Sequence, residues 1–171
     1  MLRLKYASYR EGQRMPEDIK NIFISHVSED DKGLDRLKKL CDKHGLDVRD
    51  SSITSDKPNN AKDPDYIKNE ILRPHIKWCS VLVVYVSEKT KDSPWVSWEI
   101  DEAERQGKRI VGVWAHGHAE CEVPEALGQF GDAMVGWSGE SIVNAICSET
   151  SEWYQPDGAP ADYRSIKRYS C

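Results

Sequence analysis

The chain alternates short runs of apolar residues with longer amphipathic segments. The apolar runs predict strands at residues 22–24, 46–49, 78–86, 109–114 and 133–135. Apolar positions at helical spacing predict helices at residues 28–44, 66–73, 93–106 and 141–147. The run at residues 78–86 does not alternate polar with apolar positions, which is typical of a strand that is covered on both faces.

Three of the predicted helix boundaries are marked by residues with strong conformational preferences. Ser28, followed by acidic residues, resembles a capping box and predicts the start of the first helix. Arg73 and Pro74 predict the end of the second helix, because proline lacks a backbone donor. Ser93 and Pro94 predict the start of the third helix, with Ser93 as the N-cap and Pro94 at the first helical position.

The regular alternation of strands and helices predicts an α/β fold with right-handed crossovers. We expect a flavodoxin-like, three-layer arrangement: a five-stranded, mostly parallel sheet in the order 2-1-3-4-5, with helices on both faces. In such a sheet ligands bind where the strand order reverses, above the carboxyl ends of strands 1 and 3. This places the candidate site at residues 25–30 and 87–99.

The sequence predicts one central domain with a short segment on each side. Residues 1–20 form an N-terminal extension, residues 21–150 form the domain, and residues 151–171 form a C-terminal appendage. Two long stretches within the domain have no helical or strand pattern, namely residues 51–65 and residues 116–131. Loops of this length inside a compact domain are often functional.

Charge and composition exclude several classes of partner. The 171 residues include 24 Lys and Arg against 29 Asp and Glu, a net charge of −5, and the basic residues are scattered. Proteins that bind a phosphate backbone concentrate basic residues on one face, so we expect no nucleic acid partner. The longest apolar run, residues 78–86, is far shorter than the roughly 20 residues of a membrane span. No apolar segment of a signal peptide follows the N-terminal basic residues, so we expect a cytoplasmic protein with no membrane partner.

The cysteines and histidines do not form a recognisable ligand or disulfide pattern. The five cysteines are far apart and include no Cys-x-x-Cys pair, which indicates reduced thiols. His116, His118 and Cys121 are close in sequence, but without a second cluster we interpret the histidines as surface residues. We therefore expect no metal site.

Several chemistries that use this fold class are not supported by the sequence. The chain contains neither Gly-x-Gly-x-x-Gly nor Gly-x-x-x-x-Gly-Lys followed by Ser or Thr, so neither a dinucleotide cofactor fold nor a phosphate loop is predicted. A phosphoryl-accepting receiver domain needs acids after strand 1 and an Asp at the end of strand 3. This chain has Ser25 and His26 at the first position and Ser87 at the second.

Residues 93–100 contain the strongest candidate for chemistry at the predicted crevice. On a helix, Trp95 and Glu99 share a face, while Val96 and Ile100 form the stripe that rests on the sheet. Periodicity alone leaves two interpretations open. Trp95 and Glu99 are either a packing residue and a solvated acid, or an indole ring beside a functional carboxylate.

Four segments, in this order and spacing, resemble the TIR domain, and in particular the TIR-like ThsB proteins of the Thoeris antiphage system. They are residues 22–26, 47–52, 80–86 and 93–100, followed by residues 107–113. The Arg-Asp-Ser-Ser and Ser-Pro-Trp-Val-Ser-Trp-Glu sequences within them are the most specific features. The resemblance covers residues 21–115 and is weaker as far as residue 147.

The resemblance implies a TIR-type NAD+ glycohydrolase or ADP-ribosyl cyclase, with NAD+ as its substrate and no cofactor. It implies that Glu99 is catalytic and that five further residues bind the substrate: Ser25, His26, Asp50, Ser51 and Trp95. The implied product is a cyclic or modified ADP-ribose, a diffusible second messenger that activates a separate effector protein. The resemblance also implies self-association with like TIR domains. Residues 50–65 correspond to the BB loop, although Asn59 follows Pro58 where many TIR domains have glycine.

The position of the substrate's phosphates is not obvious from the sequence. Asp30 and Asp31 stand at the start of the first helix, where their charge would repel a phosphate. We therefore expect the phosphates to be bound by the backbone of residues 25–26, by Arg49 or by Lys57. Arg49 is equally consistent with a strand-edge salt bridge, and Lys57 with a solvated loop charge.

Two other functions are consistent with the same sequence. A TIR-like scaffold would assemble with like domains and catalyse nothing, so its function would not depend on Glu99. A nucleoside deoxyribosyltransferase-type enzyme, also flavodoxin-like with a single catalytic Glu, would process nucleosides and ignore NAD+.

Overall fold

The computed structural model describes residues 19–53, 62–117, 121–148 and 150–161. Strands and helices alternate along the chain. They are β1 (Ile19–Ser25), α1 (Asp31–Lys43), β2 (Asp47–Asp50), α2 (Pro64–Tyr66), α3 (Arg73–Trp78), β3 (Val81–Val86), α4 (Pro94–Arg105), β4 (Arg109–Trp114), α5 (Glu125–Phe130), β5 (Ala133–Val135) and α6 (Gly139–Ile146). A 3-10 turn (Ser28–Asp30) precedes α1, and a π-helical segment (Ile67–Leu72) joins α2 to α3.

The five strands form one parallel sheet in the order β2-β1-β3-β4-β5, which confirms the predicted topology. Ile22 of β1 lies opposite both Asp50 of β2 and Val81 of β3. The chain leaves β1 toward β2 on one side and later returns to β3 on the other side. The strand order therefore reverses at β1 and β3, and a crevice is expected above their carboxyl ends.

The core lies in two layers, one on each face of the sheet. Side chains alternate between the faces of a strand, so successive residues of β3 enter different layers. Val81, Val83 and Tyr85 pack with residues of α1 and α6. The residues between them pack with α3, α4 and α5. All six residues of β3 are buried, as the continuous apolar run predicts.

The second helix passes through Pro74, and the predicted helix end at Arg73 and Pro74 is wrong. The segment Ile67–Leu72 is π-helical, and the Arg73 N–H donates to the carbonyl of Lys68, five residues earlier. Proline lacks an N–H, and its ring crowds the carbonyl four residues before it. The wider π turn accommodates Pro74, so the helix continues to Trp78. Trp78 therefore ends a helix, where it is exposed, and β3 begins only at Val81.

The first helix begins later than predicted. Residues 28–30 form the 3-10 turn, and no side chain caps either that turn or α1, so the predicted capping box at Ser28 is wrong. The Ser28 hydroxyl donates instead to the carboxylate of Glu29. This local hydrogen bond competes with capping, because the serine hydroxyl can bond either to the neighbouring side chain or to a backbone N–H of the helix.

Two segments outside the predicted elements have regular contacts. The stretch predicted to be irregular contains α5, whose Leu127 is buried. Beyond α6, the backbone of Glu152 and Tyr154 bonds to both sides of Met134 in β5. The Trp114 indole N–H donates to the carbonyl of Tyr154 at 2.8 Å, so this segment covers the edge of the sheet. Within the part of the chain that the structure describes, no helix combines the length and apolarity needed to cross a membrane.

Candidate functional site

A cavity of about 470 Å³ lies at the carboxyl end of β1, between the turn that follows β1, the π-helical segment and the first half of α4. This volume is within the range of roughly 300–1,000 Å³ that is usual for small-molecule sites. Its lining residues are Phe23, Ile24, His26, Val27, Ser28, Glu29, Asp31, Ile53, Ile67, Leu72, Ser93, Trp95 and Glu99. The cavity is thus at the reversal point of the sheet, where the strand order places a ligand.

The first turns of α4 position Glu99 in this cavity. The Ser93 hydroxyl accepts the backbone N–H of Val96 at 3.3 Å, so α4 begins as predicted. Val96, Ile100 and Ala103 are fully buried, which confirms the predicted stripe against the sheet. Because this stripe fixes the rotation of α4, Glu99 is held at the cavity wall rather than on the solvent side.

Glu99 is a buried carboxyl with a hydroxyl as its hydrogen-bond partner. Its side chain is 7% exposed, and the fully buried Ser25 donates its hydroxyl to Glu99 Oε2 at 2.5 Å. Burial raises the pKa of Glu99 to about 8, although the Ser25 hydrogen bond acts in the opposite direction. At neutral pH the carboxyl is therefore mainly protonated. The interpretation of Glu99 as a solvated helix acid is wrong.

Glu102 lies one turn further along α4 and is also a buried carboxyl, but its partners are cations. Arg73 donates to both of its oxygens, at 2.9 and 3.2 Å, and Arg105 lies at 3.0 Å. Burial raises the pKa of Glu102, but the hydrogen bonds from Arg73 and Gln106 outweigh it and keep the pKa below its usual value. Glu102 is therefore an ionised structural residue that ties α3 to α4. Glu99 faces the cavity, and no basic side chain among the described residues shifts its pKa.

His26 lies at the cavity wall and is held at both ring nitrogens. Its Nδ1 is 2.9 Å from the carbonyl of Ile24, and its Nε2 is 2.8 Å from the carboxylate of Asp31. These contacts fix the ring's orientation and the turn that follows β1. Asp30 instead accepts a hydrogen bond from Ser87 at 2.5 Å. The two acids expected to repel a phosphate are thus both engaged within the protein.

Asp50 and Ser51 are near the site but do not line the cavity. Asp50 accepts the backbone N–H of Ser52 at 2.9 Å and lies 3.3 Å from Lys38. The Ser51 hydroxyl donates to two backbone carbonyls. The backbone N–H of Ser51 donates to the carbonyl of Ile22 at 3.0 Å, and the Ser52 hydroxyl accepts the N–H of Ile24 at 2.7 Å, so both residues hold the end of β2 against β1. The substrate-binding role of Asp50 and Ser51 stays a prediction.

Of the predicted substrate-binding residues, Trp95 also lines the cavity and is 37% exposed. Of the basic residues considered for the phosphates, Arg49 is exposed on β2 and is not a lining residue, and Lys57 lies outside the described residues. Sequence reasoning missed Lys68. Its Nζ lies 5.8 Å from the ring centre of Trp95 and 5.7 Å from that of Trp98.

The structure contains no group of three or more His, Cys, Asp and Glu side chains that could hold a metal ion among residues 19–53, 62–117, 121–148 and 150–161. His118, one of the residues considered for a metal, is not among them. Cys79 is buried, and burial raises its pKa to about 11. A thiol of this kind is a packing residue, not a nucleophile.

A protein-family model matches the chain, and solved structures show distant similarity to it. The model of the Thoeris protein ThsB TIR-like domain matches residues 23–120. The Clostridium botulinum CMP N-glycosidase BcmB aligns over 75% of this chain and 99% of its own, with 16% identity and a TM-score of 0.47. The TIR domains of the activated Roq1 resistosome, which directly recognises the pathogen effector XopQ, align over 56% of this chain and 57% of theirs, with 19% identity and a TM-score of 0.38. No curated protein has significant sequence similarity to the chain.

The buried carboxyl of Glu99 makes the stability of the fold depend on pH. The unfolded chain loses this proton near pH 4.5 and the folded protein near pH 8. Between these values the folded state binds more protons, so stability falls as pH rises and is constant above about pH 8. We expect Glu99→Gln to match the wild type near pH 4.5 and to be more stable at pH 8, by an amount of the order of a few kcal/mol.

Thermal unfolding of both proteins between pH 4.5 and 8.5 measures this difference. Glu102→Gln is the matched control on the same helix. It removes the partner of Arg73 and should lower the unfolding temperature at every pH in this range. A Glu99→Gln protein that is no more stable than the wild type at pH 8 would contradict the assignment of a buried neutral carboxyl.

Proposed function

Because the chain belongs to the family of ThsB TIR-like domains, we propose that it cleaves NAD+ at the bond between nicotinamide and ribose, with Glu99 as the catalytic residue. The observation that carries this proposal is the buried carboxyl of Glu99 in the cavity, one helical turn from Trp95. The resemblance to TIR enzymes implies that Glu99 is the catalytic residue and that Trp95 binds the substrate. Ser25 supports the role, since it holds the carboxyl by a direct hydrogen bond.

One carboxyl group is sufficient for this reaction. Most glycosidases use two, because the leaving alkoxide must be protonated by an acid while a second carboxylate acts on the sugar. The leaving group of NAD+ is a pyridinium, which departs as neutral nicotinamide and needs no proton. What remains is to hold the ribose and to stabilise the positive charge that develops on it, and one oriented carboxylate does this.

The protonation of Glu99 couples to the charge of the substrate. Burial keeps the carboxyl neutral in the free protein. A cationic nicotinamide ring beside it favours the ionised form, because an opposite charge at short range lowers the pKa of a carboxyl. Substrate binding therefore releases the proton of Glu99 and creates the carboxylate next to the ribose. The charge is formed only when a cation is present to balance it.

Departure of nicotinamide leaves a positively charged ribosyl group, the ribosyl cation. The apolar part of the cavity determines which nucleophile reacts with it. Phe23, Ile53, Ile67 and Leu72 are lining residues without polar side-chain atoms. A wall of this kind restricts the access of water, so a nucleophile within the same molecule can attack the cation instead. The product proposed on this basis is a cyclic or modified ADP-ribose. In a Thoeris system it would be the diffusible messenger that activates a separate antiphage effector.

The activity assay follows nicotinamide release from NAD+ by the purified protein, with and without lysate from phage-infected cells. We expect Glu99→Gln to reduce turnover on the order of 10²–10³-fold, since one preorganised charge contributes about 3–4 kcal/mol to transition-state stabilisation. Glu104→Gln, an exposed acid on the same helix, should keep the wild-type rate. Absence of Glu99-dependent release under both conditions would refute the proposed activity and leave the scaffold and the nucleoside deoxyribosyltransferase-type enzyme as the alternatives.

The pH dependence of kcat/KM reports the protonation of Glu99 in the free enzyme. A reaction that needs the carboxylate should become faster as pH rises, with a midpoint near pH 8 and a plateau above it. Ser25→Ala removes the hydrogen bond that lowers the pKa of Glu99, so the midpoint should move to higher pH. A kcat/KM that falls through this range would mean that the protonated carboxyl is the active form, as in an enzyme that protonates a departing neutral base.

A further inference from the structure

The lining of the cavity has an unusual distribution of charge for a site that binds a dinucleotide. Among the described residues that line it, the acids are Glu29, Asp31 and Glu99, and His26 is the one potentially basic side chain. Neither Lys nor Arg contributes to this part of the wall. Among the described residues, a Lys or Arg side chain that contacts the phosphates would therefore come from outside this lining.

Lys68 is in a position to provide this charge. It follows the lining residue Ile67 on the π-helical segment and is half-buried. Its ammonium lies over two indole rings, those of Trp95 and Trp98, at 5.8 and 5.7 Å from their centres. Trp95 is itself part of the cavity wall. The two rings thus hold the charge beside the opening of the site.

The charge of Lys68 is not neutralised by a carboxylate within the described part of the chain. Other basic side chains around the site are paired with acids: Arg73 with Glu102, and Lys89 with Glu29. A ring face attracts a cation through its quadrupole but carries no net charge. An ammonium that is held by rings therefore keeps its full attraction for an anion, and it has N–H donors available to bind one.

The beginning of α4 adds to the positive potential beside Trp95. Ser93 and Trp95, the N-cap and second residue of this 12-residue helix, both line the cavity. The N-terminal end of a helix carries a partial positive charge that favours anions. Glu99 is four residues further on, about 6 Å along the helix axis. The cavity therefore has a positive corner at Trp95 and a carboxyl at Glu99, along one helix.

We infer that Lys68 binds a phosphate group of the substrate at this corner, and that Trp95 and Trp98 position its ammonium. The inference rests on the proposed function for the choice of ligand, a nucleoside linked to a pyrophosphate. The arrangement matches the charges of such a molecule, because the ribosyl cation would lie at Glu99 and the anionic pyrophosphate toward Lys68. Lys68 is thus a residue that distinguishes phosphorylated substrates from free nucleosides.

Equilibrium binding tests this inference without any turnover. Isothermal titration calorimetry of the Glu99→Gln protein with ADP-ribose is compared with that of the same protein carrying Lys68→Met. We expect Lys68→Met to weaken ADP-ribose binding about tenfold or more, as is usual when a hydrogen bond to a charged group is lost. Lys68→Arg should restore most of the affinity, and Lys39→Met, an exposed charge on α1, should change nothing.

A ligand without phosphate separates recognition from structural damage. Nicotinamide riboside should bind equally well with and without Lys68→Met. An equal loss for both ligands, or failure of Lys68→Arg to restore ADP-ribose binding, would show that Lys68 only supports the fold. Unchanged ADP-ribose binding in Lys68→Met, or none in the parent protein, would overturn the inference. Lys68-dependent binding of ADP-ribose by a protein that does not cleave NAD+ would instead refute only the proposed activity.

Discussion

The burial of the Glu99 carboxyl, with the hydroxyl of Ser25 as its hydrogen-bond partner, is the constraint on which the site depends. Ionising a buried carboxyl that has no neighbouring cation costs free energy, so the protein holds Glu99 in its neutral form. Glu102 lies on the same helix, yet it is kept ionised by Arg73. Two acids three residues apart therefore have opposite roles because only one of them has a guanidinium partner. The proposed chemistry uses this difference: the acid without a partner is the one that a cationic substrate can ionise.

The elements that the sequence predicted correctly are those with local signals. β4 (Arg109–Trp114) is an apolar run after its first residue, and α4 begins at a serine cap followed by proline. The strand order follows from the alternation of strands and helices. The errors arose where a neighbouring interaction changed the local preference. Pro74 is accommodated by a π turn that no periodicity indicates, and Ser28 bonds to Glu29 instead of capping a helix.

The candidate site was predictable only in part, for a similar reason. The spacing of Trp95 and Glu99 identifies a helix face, and the topology places that face at the crevice. The burial that keeps Glu99 neutral comes from tertiary packing, and its hydrogen-bond partner Ser25 is 74 residues away, so no pattern within a helix can reveal its protonation state. Lys68 was missed because its importance comes from two tryptophans on another helix. Pairing between distant elements, rather than residue type, decides which charges in this protein are neutralised.

A direct titration of Glu99 tests the central claim, that its carboxyl is neutral in the free protein and ionises when a cation binds. The side-chain carboxyl carbon can be followed by NMR in ¹³C-labelled protein, with Glu99→Gln to assign the signal. The account predicts a midpoint near pH 8 for the free protein. It also predicts a clear decrease when a non-hydrolysable carbocyclic analogue of NAD+ is bound. A midpoint near 4.5 in the free protein, or one that the cationic analogue does not lower, would contradict it.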